Sequence, residues 1–209
     1  MSSQVDLQYW DIEAIGHELA QAERALHNLG PAIAMFGSSR IDPQDPLCHR
    51  AFTLARDLSS AGLAIITGGG PGLMDAFNRG AQAGGRPSVG LGIRLPSETQ
   101  PNPHIDIYLH FERFFTRKAT FVRYSQAFVA MPGGLGTLDE IFEVLCLMST
   151  RKTARVPVIL IGDGYWDSLM HWLEESPVRR GMIEPEHLGV LHRADTAAEV
   201  LTILARQTA

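Results

Sequence analysis

The chain has 209 residues, of which 45% are hydrophobic and 20% are charged, a composition typical of a globular protein that excludes a disordered chain. Its net charge of −5 argues against a general nucleic-acid-binding protein, since such a protein needs a basic face. No apolar run approaches the roughly 18 residues of a membrane span, and the first residues lack the pattern of a secretory signal. Cys48 and Cys146 belong to no CxxC pair, so we expect free thiols in a cytoplasmic protein.

Apolar residues at helical spacing predict a first helix over residues 5–29, which Gly30 and Pro31 end. From there on, short apolar runs alternate with helical patterns, which predicts an α/β fold: a Rossmann-like, doubly wound parallel sheet of six to seven strands. We expect one domain over residues 31–209, with the helix of residues 1–30 packed on it. The strands are predicted at 32–39, 63–70, 88–95, 105–112, 127–134 and 156–163, the later helices at 45–61, 71–84, 113–125, 135–150 and near 165–175, and a last strand and helix within 188–207.

Two glycine-rich loops, Thr67–Gly72 and Pro132–Thr137, each join a predicted strand to a predicted helix. Glycine lets the backbone approach a ligand closely, and the N–H groups of the following helix favour an anion. Neither loop reads GxGxxG or GxxxxGK[ST], so the sequence favours the single phosphate of a mononucleotide over a dinucleotide or ATP hydrolysis. The irregular stretch 95–105 either borders this site or is a surface excursion.

Charged residues accompany the second loop. Glu140 shares a helix face with Gly136 and lies one turn behind the anion-binding backbone; it is either a site carboxylate or an acid that favours the positive helix end. Asp139 is expected to point elsewhere, into solvent. Arg117 and Lys118 follow two phenylalanines, so they are either a solvated basic face or residues that reach a phosphate or a ribose oxygen.

Other chemistries find little support in the sequence. The eight histidines form no metal-binding pattern, and neither a metal nor a cofactor is expected. A nucleophile elbow is not indicated, because no GxSxG occurs around Ser38. The chain has only two lysines, Lys118 and Lys152, and both are poor candidates for the Schiff base of a pyridoxal-phosphate decarboxylase.

Together, TGGGPGLMDAFNRGA (67–81) and MPGGLGTLDEIFEVL (131–145) resemble the LOG family, once widely misnamed lysine decarboxylases. The family pattern PGGxGTxxE is matched in full from Pro132 to Glu140, and the similarity covers roughly residues 32–173. The resemblance implies a phosphoribohydrolase that cleaves nucleoside 5′-monophosphates, AMP or cytokinin riboside 5′-monophosphates, with Arg117 and Glu140 as catalytic residues. It also implies a substrate-binding set of Gly37, Ser38, Gly69, Gly70, Met74, Asp75, Arg94, Lys118, Met131, Gly133, Gly134, Leu135, Gly136 and Thr137.

Family members form dimers or larger oligomers with sites at the subunit interface, and the helix predicted at 135–150 is apolar on more than one face. We therefore expect a homodimer or a higher homo-oligomer; the alternative is that another helix of the same chain covers the second face. The chain departs from the family at Asp75, usually Glu, and at Arg94, which could add a contact to the base or phosphate. The alternative function is a carrier that binds a phosphorylated ligand such as molybdenum cofactor and catalyses nothing. The sequence leaves the preferred base open.

Overall fold

The computed structural model describes residues 7–95 and 100–207. In these residues seven parallel strands form one sheet in the order β4-β3-β2-β1-β5-β6-β7. This confirms the predicted Rossmann-like parallel sheet. The strands are β1 (Ala32–Phe36), β2 (Ala64–Thr67), β3 (Ser88–Ile93), β4 (Ile107–Phe111), β5 (Phe128–Ala130), β6 (Val158–Leu160) and β7 (Leu191–Arg193).

Helices cover both faces of the sheet, because both faces of its central strands are apolar and buried. On one face pack α2, α3 and α8, and on the other α1, α4 and α5. The α-helices are α1 (Ile12–Leu26), α2 (Pro46–Ser60), α3 (Leu73–Gly84), α4 (Phe114–Tyr124), α5 (Leu135–Ser149), α6 (Asp167–Leu173), α7 (Pro185–Leu188) and α8 (Ala197–Gln207); a π-helical turn, Glu174–Val178, follows α6.

The predicted first helix is longer than α1 at both ends. Residues 5 and 6 lie outside the described residues, a separate 3₁₀ turn, Leu7–Trp10, precedes α1, and α1 ends at Leu26 rather than at residue 29. The break falls at Asp11, whose carboxylate accepts hydrogen bonds from the backbone N–H groups of Glu13 and Ala14 (2.9 and 3.2 Å). A side chain that caps a helix in this way starts it at the next residue, whatever the apolar spacing before it.

The strand order places a topological switch point beside β1. The chain builds β1 to β4 towards one edge and then returns, through α4, to place β5 on the other side of β1. Loops that leave neighbouring strands in opposite directions open a crevice at their carboxyl ends, where ligands of such sheets bind. The loops after β1 and β5 flank this crevice. Within the described parts of the chain, no helix is long and apolar enough to cross a membrane.

Candidate active site

A cavity of about 490 Å³ opens at the switch point. Three strand-to-helix loops, the first turn of α4 and the first turns of α5 enclose it. The lining residues are Met35, Phe36, Gly37, Ser38, Ser39, Arg40, Gly68, Met74, Phe114, Arg117, Gly134, Leu135, Gly136, Thr137, Asp139 and Glu140.

The three loops are locked to one another through backbone hydrogen bonds. The N–H of Ser38 donates to the carbonyl of Pro132 (3.1 Å), and the N–H of Leu73 donates to the carbonyl of Ser38 (3.0 Å). Gly72 has φ +68°, and a Cβ there would lie 2.6 Å from the oxygen of Ser38, so only glycine fits this junction. The loop after β1 therefore bridges the two glycine loops and fixes their spacing.

A buried polar network holds the loop after β2. The hydroxyl of Thr67 donates to Asn78 Oδ1 (2.7 Å) and accepts from the N–H of Gly69 (2.9 Å). Asn78 Nδ2 donates to Ser88 Oγ (2.8 Å), and Asn102 Nδ2 donates to Asn78 Oδ1 (2.9 Å). Because each of these buried polar groups has a hydrogen-bond partner, their burial carries no desolvation penalty from an unpaired group. The network therefore stabilises one conformation of the loop.

The loop after β5 presents the N-terminus of α5 to the cavity. A Cβ on Gly133 would lie 2.1 Å from Thr137 Oγ1, so glycine is required where the loop turns under the helix. Tyr165 donates its hydroxyl to the carbonyl of Gly133 (2.7 Å) and supports the loop from behind. The first turn of α5, all of it described, contains no acidic residue, and Gly134 gives no side-chain cap. The backbone of this first turn lines the cavity, and its N–H groups have no acceptor within the helix.

Arg117 is held on three sides. Its Nε donates to the carbonyl of Leu91 (2.7 Å), and its guanidinium lies over the ring of Phe121, 5.1 Å from the ring centre. A Cβ on Gly68 would lie 2.5 Å from Arg117 Nη2, so the glycine at this position leaves room for the arginine side chain. These contacts leave the arginine one orientation, towards α5.

Arg117 Nη1 and Glu140 Oε1 form an ion pair at 3.3 Å, with the two side chains only 13% and 8% exposed. Burial raises the pKa of Glu140, and the positive charges of Arg117 and Lys118 act against that shift without cancelling it. Burial also lowers the pKa of Arg117, and Glu140 opposes that change in turn. The guanidinium stays charged, because arginine does not lose its proton in proteins. The site thus holds a buried cation beside a carboxylate that keeps its proton more readily than usual.

Lys118 faces the rim instead of the cavity. Its Nζ donates to Asp139 Oδ1 (2.8 Å) and Glu143 Oε2 (3.2 Å). Burial lowers the pKa of Lys118, but these two hydrogen bonds and the negative charges of Glu140 and Asp139 together outweigh it, so the pKa lies above its usual value. The lysine is therefore a cation fixed by two carboxylates, while Asp139 keeps 54% of its side chain exposed, as expected, and still contributes to the cavity lining.

The residues predicted from the sequence separate into two groups. The cavity brings together both proposed catalytic residues and half of the proposed binding set: Arg117, Glu140, Gly37, Ser38, Met74, Gly134, Leu135, Gly136 and Thr137. The rest of the set lies behind or beside its lining: Gly69, Gly70, Asp75, Arg94, Lys118, Met131 and Gly133. Of these, Met131 is buried at the end of β5 and Gly133 is packed under Thr137, so both support the loop from within.

The two departures from the family pattern lie outside the cavity lining. Asp75 lines a second cavity of about 370 Å³ on the far side of the first glycine loop, with its carboxylate 4.0 Å from His104 Nε2. Arg94 is 62% exposed and forms an ion pair with Glu112 at 3.2 Å. The irregular stretch 95–105 also lines that second cavity through Pro101 and Asn102, while residues 96–99 lie outside the described residues.

Sequence reasoning missed six lining residues: Met35, Phe36, Ser39, Arg40, Phe114 and Asp139. Arg40 is exposed, and its backbone N–H donates to Ser38 Oγ (3.1 Å), which leaves the hydroxyl proton of Ser38 to donate to a ligand. A basic residue directly after the small-residue loop of β1 is the signal that could have indicated Arg40. Among residues 7–95 and 100–207, no group of three His, Cys, Asp or Glu side chains could hold a metal ion.

A family model described as "Possible lysine decarboxylase" matches residues 74–204, more than half of the chain. A rice protein (Oryza sativa subsp. japonica) named as a probable cytokinin riboside 5′-monophosphate phosphoribohydrolase is 33% identical over 156 residues. An Arabidopsis thaliana cytokinin riboside 5′-monophosphate phosphoribohydrolase is 30% identical over 176 residues, which are 81% of this chain and 79% of that protein. This chain belongs to the LOG family. The match to the rice relative covers 72% of this LOG-family chain but only 62% of the rice protein.

Solved structures share the fold of this LOG-family chain. The molybdenum cofactor binding protein of Rippkaea orientalis has a TM-score of 0.62 at 21% identity, covering 86% of this chain and 98% of that one. The molybdenum cofactor carrier protein of Chlamydomonas reinhardtii has a TM-score of 0.60 at 21% identity, covering 85% and 98%. At these identities the likeness concerns the fold alone.

Proposed function

We propose that this chain is a hydrolase that cleaves the N-glycosidic bond of nucleoside 5′-monophosphates, releasing the free base and ribose 5-phosphate. The observation that carries the proposal is the buried Arg117–Glu140 pair, 3.3 Å apart, in the same cavity as the open N-terminus of α5. The cavity thus combines a surface suited to a phosphate with a carboxylate about one helical turn away, which is what this substrate class requires.

The phosphate binds at the first turn of α5. The N–H groups of Leu135, Gly136 and Thr137 supply donors, and the positive end of the helix dipole favours the dianion. Ser38 and Arg40, in the loop after β1, line the same cavity and offer the phosphate a hydroxyl and a guanidinium. Anchoring a group remote from the reacting bond supplies binding energy that orients the ribose, so plain nucleosides should be poor substrates.

Glu140 acts on the ribose. Cleavage of the N-glycosidic bond builds positive charge on the anomeric carbon and its ring oxygen, as in the hydrolysis of O-glycosides. A carboxylate beside that carbon stabilises the charge and orients the attacking water. Arg117 holds the carboxylate in place and donates to the ribose or the departing base. Burial strengthens both interactions, because the cavity has a lower dielectric constant than water.

For the base, we infer a purine: AMP or a cytokinin riboside 5′-monophosphate. Apolar and aromatic side chains form the remaining wall, from Met35, Phe36, Met74 and Phe114. Such side chains pack well against a flat heterocycle. The printed names of the rice and Arabidopsis relatives support the cytokinin substrate, and with it a role in cytokinin production.

Two other activities compete with this proposal. A molybdenum cofactor carrier has the same fold, but a buried carboxylate would repel its phosphorylated ligand in the ground state without serving any reaction. Decarboxylation through a Schiff base needs an uncharged lysine, whereas Lys118 is ion-paired to two carboxylates with a raised pKa, and Lys152 is exposed beyond the end of α5.

A panel of substrates tests the proposal. The protein is incubated with the 5′-monophosphates of adenosine, guanosine, cytidine, uridine and a cytokinin riboside, and with adenosine itself, and free base and ribose 5-phosphate are quantified. We expect equimolar products from at least one purine monophosphate and far slower release from adenosine. No base release from any monophosphate, together with tight binding of a phosphorylated pterin, would establish the carrier function instead.

A further inference from the structure

The first turn of α4 carries two cavity residues, Phe114 and Arg117, and helix α1 holds it in place. Helix α1 lies outside the range 74–204 that the family model matches. We infer that Glu18 of α1 is a positioning residue, which fixes the first turn of α4 and thereby sets Arg117 opposite Glu140. This inference rests on the proposed function for its effect on turnover.

Glu18 is a charged residue in the interior, with only 8% of its surface exposed. Its Oε1 accepts from Arg113 Nη1 at 2.6 Å and from the backbone N–H of Glu112 at 3.3 Å. Its Oε2 accepts from the hydroxyl of Thr116. Arg113 and Thr116 are themselves buried, at 5% and 0% exposure, so a carboxylate supplied by a distant helix satisfies the polar groups at this point.

The carboxylate of Glu18 lies beside the start of α4, where it accepts from the backbone N–H that precedes the helix and from the side chains of Arg113 and Thr116. The residue at the capping position is Arg113, and it makes no capping hydrogen bond from its side chain. A negative charge at a helix N-terminus interacts favourably with the helix dipole. In α4 that charge comes from α1, which ties the start of one helix to the middle of the other.

A single backbone hydrogen bond connects Arg113 to Arg117. The N–H of Arg117 donates to the carbonyl of Arg113 at 3.3 Å, the first hydrogen bond of α4. Arg113 is in turn fixed by Glu18 and by the carbonyl of Tyr9, which accepts from its Nε at 2.6 Å. The hydroxyl of Tyr9 also accepts from the N–H of Phe114 at 3.2 Å. The N-terminal segment therefore restrains the backbone of both cavity residues.

The test replaces the buried ion pair by apolar side chains of similar size, Glu18→Leu with Arg113→Met. Removing one partner would leave an unpaired buried charge and destabilise the chain, whereas replacing both is often neutral for stability. Thr116 keeps an acceptor in the carbonyl of Arg113, 2.9 Å away. If the double variant melts more than about 5 °C below wild type, Glu18→Gln with Arg113→Gln, which removes both charges and keeps polar side chains at both positions, takes its place.

The matched control is Glu23→Gln. Glu23 also joins α1 to α4, through Arg123 Nε at 3.1 Å and the hydroxyl of Tyr124, but at the far end of α4. It is exposed and reaches no cavity residue. A general loosening of α1 on α4 would affect both variants, whereas positioning through the first turn would affect only the Glu18 variant.

Two readouts decide the matter: amide hydrogen exchange over residues 113–120, and kcat and Kd for AMP. We expect the Glu18 variant to exchange faster in this segment alone and to lose about tenfold in kcat, with little change in Kd, because small displacements of a catalytic group cost rate rather than binding. Unchanged exchange or unchanged kcat in the folded variant would overturn the inference. Wild-type protein that releases no base would refute the proposed function. Amide exchange needs no turnover, so it would still decide whether Glu18 fixes the first turn of α4.

Discussion

At the scale of single residues, Glu140 is subject to opposing influences. Burial raises its pKa, and Arg117 at 3.3 Å and Lys118 lower it by a smaller amount. In the proposed reaction the ionised carboxylate stabilises a positively charged ribose, so the burial that strengthens this interaction also makes the ionised form harder to maintain. The same burial keeps the pair dry and its interaction with a reacting group strong.

The first prediction concerns pH. Since the proposed reaction uses the ionised form of Glu140, kcat/KM for AMP should rise with pH through an apparent pKa above the ordinary value of 4.5. Initial rates between pH 4 and pH 8, at fixed ionic strength, measure this rise. An apparent pKa at or below the ordinary carboxyl range would contradict the assignment of Glu140.

The pH dependence of thermal stability gives an independent measure of the pKa of Glu140. Between the ordinary and the raised pKa, the native chain holds a proton that the unfolded chain has lost, so this group's contribution to the free energy of unfolding falls as pH rises through that window. The melting temperature of wild type should therefore decline relative to Glu140→Gln, which cannot titrate. An identical pH dependence for the two proteins would show that the pKa of Glu140 is not raised.

How much of the site the sequence predicts depends on the residue. The spacing from Pro132 to Glu140 places Glu140 beside the anion-binding turn, because loop and helix are continuous in the chain. The direction of Asp139 depends on Lys118 in another helix, which no local pattern encodes. Glu18 acts on α4 from a helix about one hundred residues earlier, so its role emerges only when the two elements are packed.

At the scale of elements, the N-terminus of α5 links the glycine loop to the chemistry. Gly133 lies beneath Thr137 with no room for a Cβ, while a Cβ on Gly136 would meet nothing within 4 Å. The two glycines thus have different roles in one loop: Gly133 allows the loop to pack, and Gly136 leaves the amides of the first turn open to a ligand.

The second prediction follows from that difference. Gly133→Ala should destabilise the chain by roughly 1–3 kcal/mol, as overpacking does. Gly136→Ala should keep or raise the melting temperature, since alanine favours a helix more than glycine, but should raise KM for AMP by crowding the phosphate. Thermal melts and AMP kinetics measure both. Equal effects of the two substitutions on stability would contradict the packing described for Gly133.

Element boundaries show where sequence patterns stop being informative. Apolar runs followed by glycine predict β1, β2 and β5 correctly, since buried parallel strands are continuously apolar. The apolar spacing predicts too early a start for α1, because the side chain of Asp11 caps the helix and sets its first residue. Helix α3 begins at Leu73, because the positive φ of Gly72 delays it past Pro71.

At the scale of the whole molecule, exposed apolar side chains lie along the starts of α4 and α5, and two of them, Phe114 and Leu135, line the cavity. Leu135 is 86% exposed at the start of α5, and Phe142 is exposed two turns further on. Phe114 and Phe115 are exposed at the start of α4. Trp10 and Tyr9 cover part of Phe115, and a second copy is the occupant that the predicted homo-oligomer would supply for the apolar surface left exposed.

The third prediction is that oligomer. Light scattering at micromolar concentration should give at least twice the chain mass of 22.9 kDa. Leu135→Glu with Phe142→Glu should shift the protein towards monomer, whereas Met182→Glu, at a 65% exposed methionine elsewhere in the chain, should not. A monomer mass for wild type would contradict the prediction and, with it, a site completed at a subunit interface.

The alternation of strands and helices predicts a parallel sheet covered on both faces, but it does not predict which strands are neighbours. The switch point arises because β5 pairs with β1 across a separation of about ninety residues. Only that pairing brings the loops of 37–40 and 131–134 together, and only then does Arg40 join the cavity. Long-range pairing is the part of the fold that local patterns leave undetermined.

The Glu140→Gln variant tests most directly whether the buried pair performs chemistry. Glutamine keeps the size and hydrogen bonding of the side chain and removes its charge. The rate of adenine release from AMP should fall by roughly 100-fold or more, about 2.7 kcal/mol of lost transition-state stabilisation, while AMP binds as tightly as before or tighter, since a carboxylate near a phosphate is repulsive in the ground state. A folded glutamine variant that releases adenine at nearly the wild-type rate would contradict the role of Glu140 and leave the cavity a binding site alone.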